Sequence, residues 1–194
     1  MKLLYTQQTE LKKEYIKNKI ELFLKEDRAE NDLSTIYTIN NKKQFIAELV
    51  AEESLVFVGK KIIDYIFRTS NINFYKKEGS LCQKGDIICQ IEGLAHTILS
   101  NERVMLNLIQ RLSGVASLTL KYIKQVKGYN IKILDTRKTT PGLRTLEKYA
   151  VSVGGGFNHR LDLFDGVMLK DNHLAVKNDI NASLLKFKQK YTTK

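Results

Sequence analysis

Between residues 130 and 174 the sequence alternates twice between an apolar run and a polar tip. "NIKILDT", residues 130–136, is the continuous apolar stretch expected of a parallel strand covered on both faces. It ends in Asp135 and Thr136, with Arg137 and Lys138 side by side just beyond. "PGLRTLEKYAVSVGGG" opens on the only proline of the chain, runs at helical period and closes on three glycines. "LFDGVMLKDNHL" has the form of a second strand, ended by Lys170, Asp171, Asn172 and His173, and "DINASLLKFKQKY" that of a last helix. Strand, tip, helix, strand, tip is the sequence form of an α/β barrel or an open α/β sheet. Both architectures bind ligands at the C-terminal ends of their strands, which puts Arg137, Lys138 and Lys170 around one mouth.

The first 115 residues mix helices and strands differently. Leu11, Tyr15, Ile16, Ile20, Phe23 and Leu24 recur at helical spacing, which predicts an amphipathic helix. "FIAELVAEESLVFVG" suits a pair of strands, and "GKKIIDYIFRT" returns to helical period. "GSLCQKGDIICQIEG" has the form of a strand, a tight turn at Lys84-Gly85-Asp86 and a second strand. Ser100 has the chemistry of a helix N-cap with Glu102 in the first turn, and Val104, Leu108, Ile109 and Leu112 share the face that follows. The expected class is α/β (α+β) in two domains, 1–115 and 116–194.

Charge and cysteine content narrow the function. The net charge of +11 invites a nucleic-acid reading, but only seven of the 32 basic residues are arginines. The lysines are scattered through segments such as "ELKKEYIKNK" that resemble solvated faces, whereas five arginines lie between 103 and 160. A planar guanidinium grips carboxylate or phosphate through two parallel hydrogen bonds. A small, highly anionic ligand therefore fits better than a polymer, and nucleic acid is not an expected partner. Cys82 and Cys89 are expected to be buried reduced thiols, and His96, His159 and His173 are too dispersed for a zinc site. No apolar run approaches the roughly 18 to 20 residues of a membrane span, and the N-terminus lacks a signal-peptide core, so a cytoplasmic protein is expected.

"NERVMLN", "QRLSGVAS", "DTRKTTPGLR", "GGGFNHRLDLFD" and "MLKDNHL" together resemble the quinolinate phosphoribosyltransferase family. The likeness runs from about residue 22 onward and is densest from 101 to 174. It implies an N-terminal α/β sandwich domain followed by an α/β-barrel-type phosphoribosyltransferase domain. It also implies transfer of a phosphoribosyl group from phosphoribosyl pyrophosphate to quinolinate, with carbon dioxide and pyrophosphate leaving, and with Mg2+ accompanying the donor. By the same likeness Arg137 and Arg160 hold the substrate carboxylates, and His159 hydrogen-bonds one of them. Lys138 and Lys170 face the donor and the acceptor. Arg103 completes the site of a neighbouring subunit, so a homodimer or higher oligomer with shared active sites is expected.

Some features depart from that pattern or admit another reading. "KEDRAENDLST" lacks a glycine the family usually carries at that turn. The 67 residues from 128 onward hold about two barrel units of roughly 30 residues. The barrel is therefore expected to be incomplete, without the family's acidic residues for the magnesium-bound donor. A truncated protein, inactive by itself, or a molybdenum-transport-associated relative with a different acceptor is the alternative. Residues 79–93 also resemble biotinyl and lipoyl carrier hairpins, but the tip lacks the modified lysine's setting. Arg144 suits a surface position as well as a site, the glycines 154–156 are expected to let backbone pass close to a ligand, and His96 and His173 are expected to be structural.

Overall fold

The structure is a computed structural model describing residues 5–176 and 180–190. Its helices are α1 (Lys13–Glu26), α2 (Leu33–Thr38), α3 (Lys60–Ile66), α4 (Ala95–Gln125), α5 (Arg144–Val153), α6 (Asp171–Ala175) and α7 (Ile180–Lys190). The strands are β1 (Gln44–Val50), β2 (Leu55–Val56), β3 (Asn71–Phe74), β4 (Leu81–Cys82) and β5 (Ile87–Leu94). An antiparallel sheet runs in the order β1-β5-β3, and β2 pairs with β4 in a two-stranded ladder. Ile88, Cys89 and Ile91 of β5 pack with Ile62, Ile63 and Ile66 of α3 and with the buried face of α4 in one core. That face carries Val104, Leu108, Ile109 and Leu112, the row anticipated from helical spacing.

Helix α4 starts earlier than expected. β5 passes directly into it at Ala95, so Ser100 lies inside the helix rather than at its N-cap. The Ser100 hydroxyl donates to the Asp32 carboxylate at 3.2 Å, which satisfies a buried polar atom in the second turn. At 31 residues α4 is roughly 45 Å long, and the expected domain boundary at residue 115 falls within it. Ser113 and Ser117, one turn apart, accept from the backbone N–H groups of Val58 and Val56 at 3.1 and 2.8 Å. These serines supply acceptors that the short β2 ladder leaves missing.

Residues 81–94 do not form the anticipated hairpin. The turn is present, with Gly85 at φ 87° and the Asp86 N–H donating to the Gln83 carbonyl at 3.0 Å. Its two flanking strands diverge, however, β4 to β2 and β5 to β1 and β3. The turn closes instead on Ala51, which accepts from the Gly85 N–H and donates to the Asp86 carbonyl. Cys82 and Cys89 are buried and unpaired, as expected, and burial pushes the Cys89 thiol up to about 12.

Only part of the anticipated parallel strands forms. Leu134 and Phe157 make a single parallel bridge, with α5 between them, so the first strand–helix–strand unit is present in outline. Residues 163–170 form no strand, and Leu163, Phe164 and Val167 are exposed. An apolar run becomes a strand only where a neighbour accepts its backbone hydrogen bonds, and none flanks this run among the described residues. Lys170 caps no strand either; it precedes α6. Helix α7 falls within the expected last helix, and it buries no residue, with only Ser183 and Phe187 half-buried.

The glycine triplet serves packing against α4. A Cβ on Gly154 would collide with the Ala116 carbonyl and lie 2.8 Å from the Thr119 Cβ, and one on Gly156 would meet the Thr119 methyl at 2.9 Å. The close approach is therefore between α4 and the end of α5, not between backbone and ligand. Gly154→Ala is expected to lower unfolding stability by about 1–3 kcal/mol in urea titrations. Gly114→Ala, whose Cβ meets nothing within 4 Å, is expected to raise it by up to about 1 kcal/mol.

Candidate functional site

Beyond the Leu134 bridge the chain turns through Asp135, Thr136, Arg137 and Lys138; beyond Phe157 it turns through Asn158, His159 and Arg160. Residues 135–138 of the first tip and His159 and Arg160 of the second, with Met168 and Lys170, line a cleft of about 330 Å³. Five of the six anticipated site residues, Arg137, Lys138, His159, Arg160 and Lys170, thus meet in one place. Arg103 does not line this cleft; it is exposed on α4.

The Asp135 carboxylate holds the two tips together. Oδ1 accepts from the Lys148 ammonium and, at 2.9 Å, from the His159 backbone N–H, while Oδ2 accepts from the Asn158 amide at 2.7 Å. The Lys148 side chain is 1% exposed and also donates to the His159 carbonyl at 2.9 Å. Asn158 is a second hub. Its side-chain Nδ2 also donates to the Lys148 carbonyl, and its Oδ1 accepts from Ser152 at 3.0 Å and from the Gln8 N–H. Gln7 completes the clamp by accepting from the Asn158 N–H at 2.7 Å and donating to its carbonyl at 3.1 Å.

His159 is held from both sides. The Tyr5 ring lies 4.6 Å from the imidazole, centroid to centroid, at an interplanar angle of 33°. The Arg160 backbone N–H donates to Nδ1 at 2.8 Å, so in the neutral imidazole the proton resides on Nε2. Arg160 is itself 5% exposed and donates to the Gly166 carbonyl. Arg137 differs from it. Its Nε is buried and has no hydrogen-bond partner, alone among the buried side-chain nitrogens and oxygens of the described residues. A buried donor without an acceptor costs roughly 1–3 kcal/mol, which a bound oxygen would recover.

The loop between Lys138 and α5 is braced from outside the cleft. Glu147, 5% exposed, accepts from Arg111 of α4 at 2.9 Å and from the Thr140 N–H at 3.2 Å. Arg144 donates to Thr139 and to the Leu161 carbonyl, so it ties the two tips rather than facing solvent alone. His173 accepts from the Lys170 N–H at 3.2 Å, a local contact consistent with its structural reading, and His96 lies in the first turn of α4. The residues that sequence reasoning missed are Asp135, Lys148, Asn158, Glu147, Tyr5 and Gln7. One signal was available for two of them: Glu147 and Lys148 fall between apolar neighbours of a helix, where a charge needs a partner.

The chain matches the family models for the quinolinate phosphoribosyl transferase N-terminal domain over residues 32–113 and C-terminal domain over 115–194. It is 44% identical over 178 residues to a probable nicotinate-nucleotide pyrophosphorylase (carboxylating) of Bacillus subtilis, covering 90% of this chain and 61% of the relative. A chloroplastic relative from Oryza sativa is 37% identical, with 92% of this chain and 49% of the relative covered. Among solved structures, nicotinate-nucleotide pyrophosphorylase from Francisella tularensis superposes with a TM-score of 0.88 at 30% identity, over 97% of this chain and 68% of that one. NadC from Streptococcus pyogenes gives 0.86 at 35% identity, over 95% and 67%. The chain thus spans about half to two thirds of the length of these relatives. Asn158→Ala, which strips both hubs of a buried partner, is expected to cost about 2–4 kcal/mol of stability in chemical denaturation.

Proposed function

Because the chain belongs to the quinolinate phosphoribosyltransferase family, we propose that its cleft binds quinolinate and phosphoribosyl pyrophosphate. The product is nicotinate mononucleotide for NAD synthesis, with carbon dioxide and pyrophosphate released. The observation that carries this reading is the buried, unpartnered Nε of Arg137 in a cleft lined by four cationic side chains. Two adjacent carboxylates, a phosphate and a pyrophosphate are ligands that such a lining suits.

In this reading Arg137 and Arg160 clamp the quinolinate carboxylates, and His159 donates from Nε2 to one of them. Lys138 and Lys170 neutralise the phosphoribosyl donor. The pyridine nitrogen attacks the ribose carbon as pyrophosphate departs, through a state with oxocarbenium character. No nucleophilic side chain is required, so rate enhancement comes from positioning and from fixed positive charge beside the leaving group. Decarboxylation follows from the pyridinium: the electron pair of the breaking carbon–carbon bond stays on the ring carbon, where the adjacent charged nitrogen stabilises it, and a proton from water takes the place of the departed carbon dioxide.

The same reading divides the chain into units 1–115 and 116–194 with α4 spanning both. It also has Arg103, exposed on α4, reach the cleft of a second copy in a homodimer. A resident Mg2+ is not supported by the described residues. They contain no group of three His, Cys, Asp or Glu able to hold a metal, and both oxygens of Asp135 are already engaged. Magnesium is proposed to accompany the pyrophosphate donor, as the family likeness implies.

Titration calorimetry on the folded protein tests the reading directly. Quinolinate is expected to bind, Arg137→Ala to abolish the binding, and Arg137→Lys to weaken it by roughly tenfold or more because the planar fork is lost. Absence of quinolinate affinity in the folded wild type overturns the proposal.

A further inference from the structure

We infer that Lys148 is a positioning residue that masks the negative charge of Asp135 from the ligands of the cleft, an inference that rests on the anion-binding reading above. Among the described residues lining the cleft, Asp135 is the one carboxylate, set among Arg137, Lys138, Arg160, Lys170 and His159. A negative charge there repels carboxylates and phosphates. The fold nevertheless needs an acceptor at this position: Asp135 takes hydrogen bonds from Lys148, Asn158 and the His159 N–H, and so sets the separation of the two tips. A neutral side chain offers fewer acceptor sites for those three donors.

Lys148 resolves this conflict. It comes from α5, behind the cleft, and is absent from the cleft's lining. At 1% exposure its ammonium cannot meet a ligand, yet it contacts Asp135 and the His159 carbonyl. A surface ion pair would be screened by water and salt, whereas this buried one is screened much less. The titratable and charged groups that face Asp135 are then Lys148 from α5, Arg137 and Lys138 from its own tip, His159 and Arg160 from the neighbouring tip, and Lys170. With the carboxylate cancelled, the cationic lining acts on the ligand unopposed.

A charge-masking role and a purely structural one separate in a double-mutant cycle read by calorimetry, with quinolinate and inorganic pyrophosphate as probes. Lys148→Met leaves Asp135 unpaired and is expected to weaken both anions by roughly tenfold or more near neutral pH. Asp135→Asn/Lys148→Met, which removes both charges, should recover most of the affinity. That double variant, which leaves neither an unpaired buried carboxylate nor an unpaired buried ammonium, also guards against misfolding of the single lysine variant. A double variant as weak as Lys148→Met, or a Lys148→Met variant that binds both anions as tightly as wild type, overturns the inference while leaving the function intact. Wild type that binds pyrophosphate but not quinolinate overturns the acceptor assignment alone, since the cycle is then read with pyrophosphate. Wild type that binds neither overturns both.

Discussion

One carboxylate, Asp135, joins two loops that are 23 residues apart in sequence. It accepts from the Asn158 amide and the His159 backbone on the far tip and from Lys148 at its back. Every cation proposed to meet ligand, apart from Arg103 and Lys170, is within a few residues of one end of that link. Removing a single partner would leave a buried charge or donor unsatisfied, a far larger effect than loss of an exposed ion pair. The surface pairs, such as Lys61–Glu10 and Lys60–Asp64, are exposed and contribute little by comparison.

Helix α4 connects this link to the rest of the molecule. Its first half packs in the core under the antiparallel sheet, and its second half receives the glycine triplet that follows α5. Arg111, midway along, reaches Glu147 on α5 and so fixes the start of the loop after Lys138. The N-terminal segment supplies a third anchor through Gln7 and Gln8 on Asn158 and Tyr5 over His159. The cleft is therefore held by helix, loop and N-terminal segment together, as a site that must present charges at fixed separations requires.

Arg160 was reached only through the family likeness, whereas Arg137, Lys138 and Lys170 were legible in the sequence because cations at the ends of apolar runs are unusual enough to need an explanation. Their supports were not. Asp135 and Lys148 are 13 residues apart, and nothing in local periodicity reveals that a strand end and a helix face share an ion pair. Gln7 and Asn158 lie 151 residues apart, beyond any pattern of spacing. The buried faces of α1 and α4 were readable, since helical period reports burial directly. Strand character at 163–169 was not realised, because pairing is a property of the neighbour and not of the run itself. The turn at Gly85 was readable from its residues, while the divergence of β4 and β5 depended on which edges were available elsewhere.

The cleft built on Asp135 is proposed to hold the carboxylates of quinolinate on Arg137. A crystal structure of the protein with quinolinate tests it most directly. A ligand carboxylate oxygen is expected within about 3 Å of Arg137 Nε, with the second carboxylate toward Arg160 and His159. Quinolinate bound outside the cleft, or an Arg137 Nε that takes a protein acceptor while the ligand is bound, would contradict it.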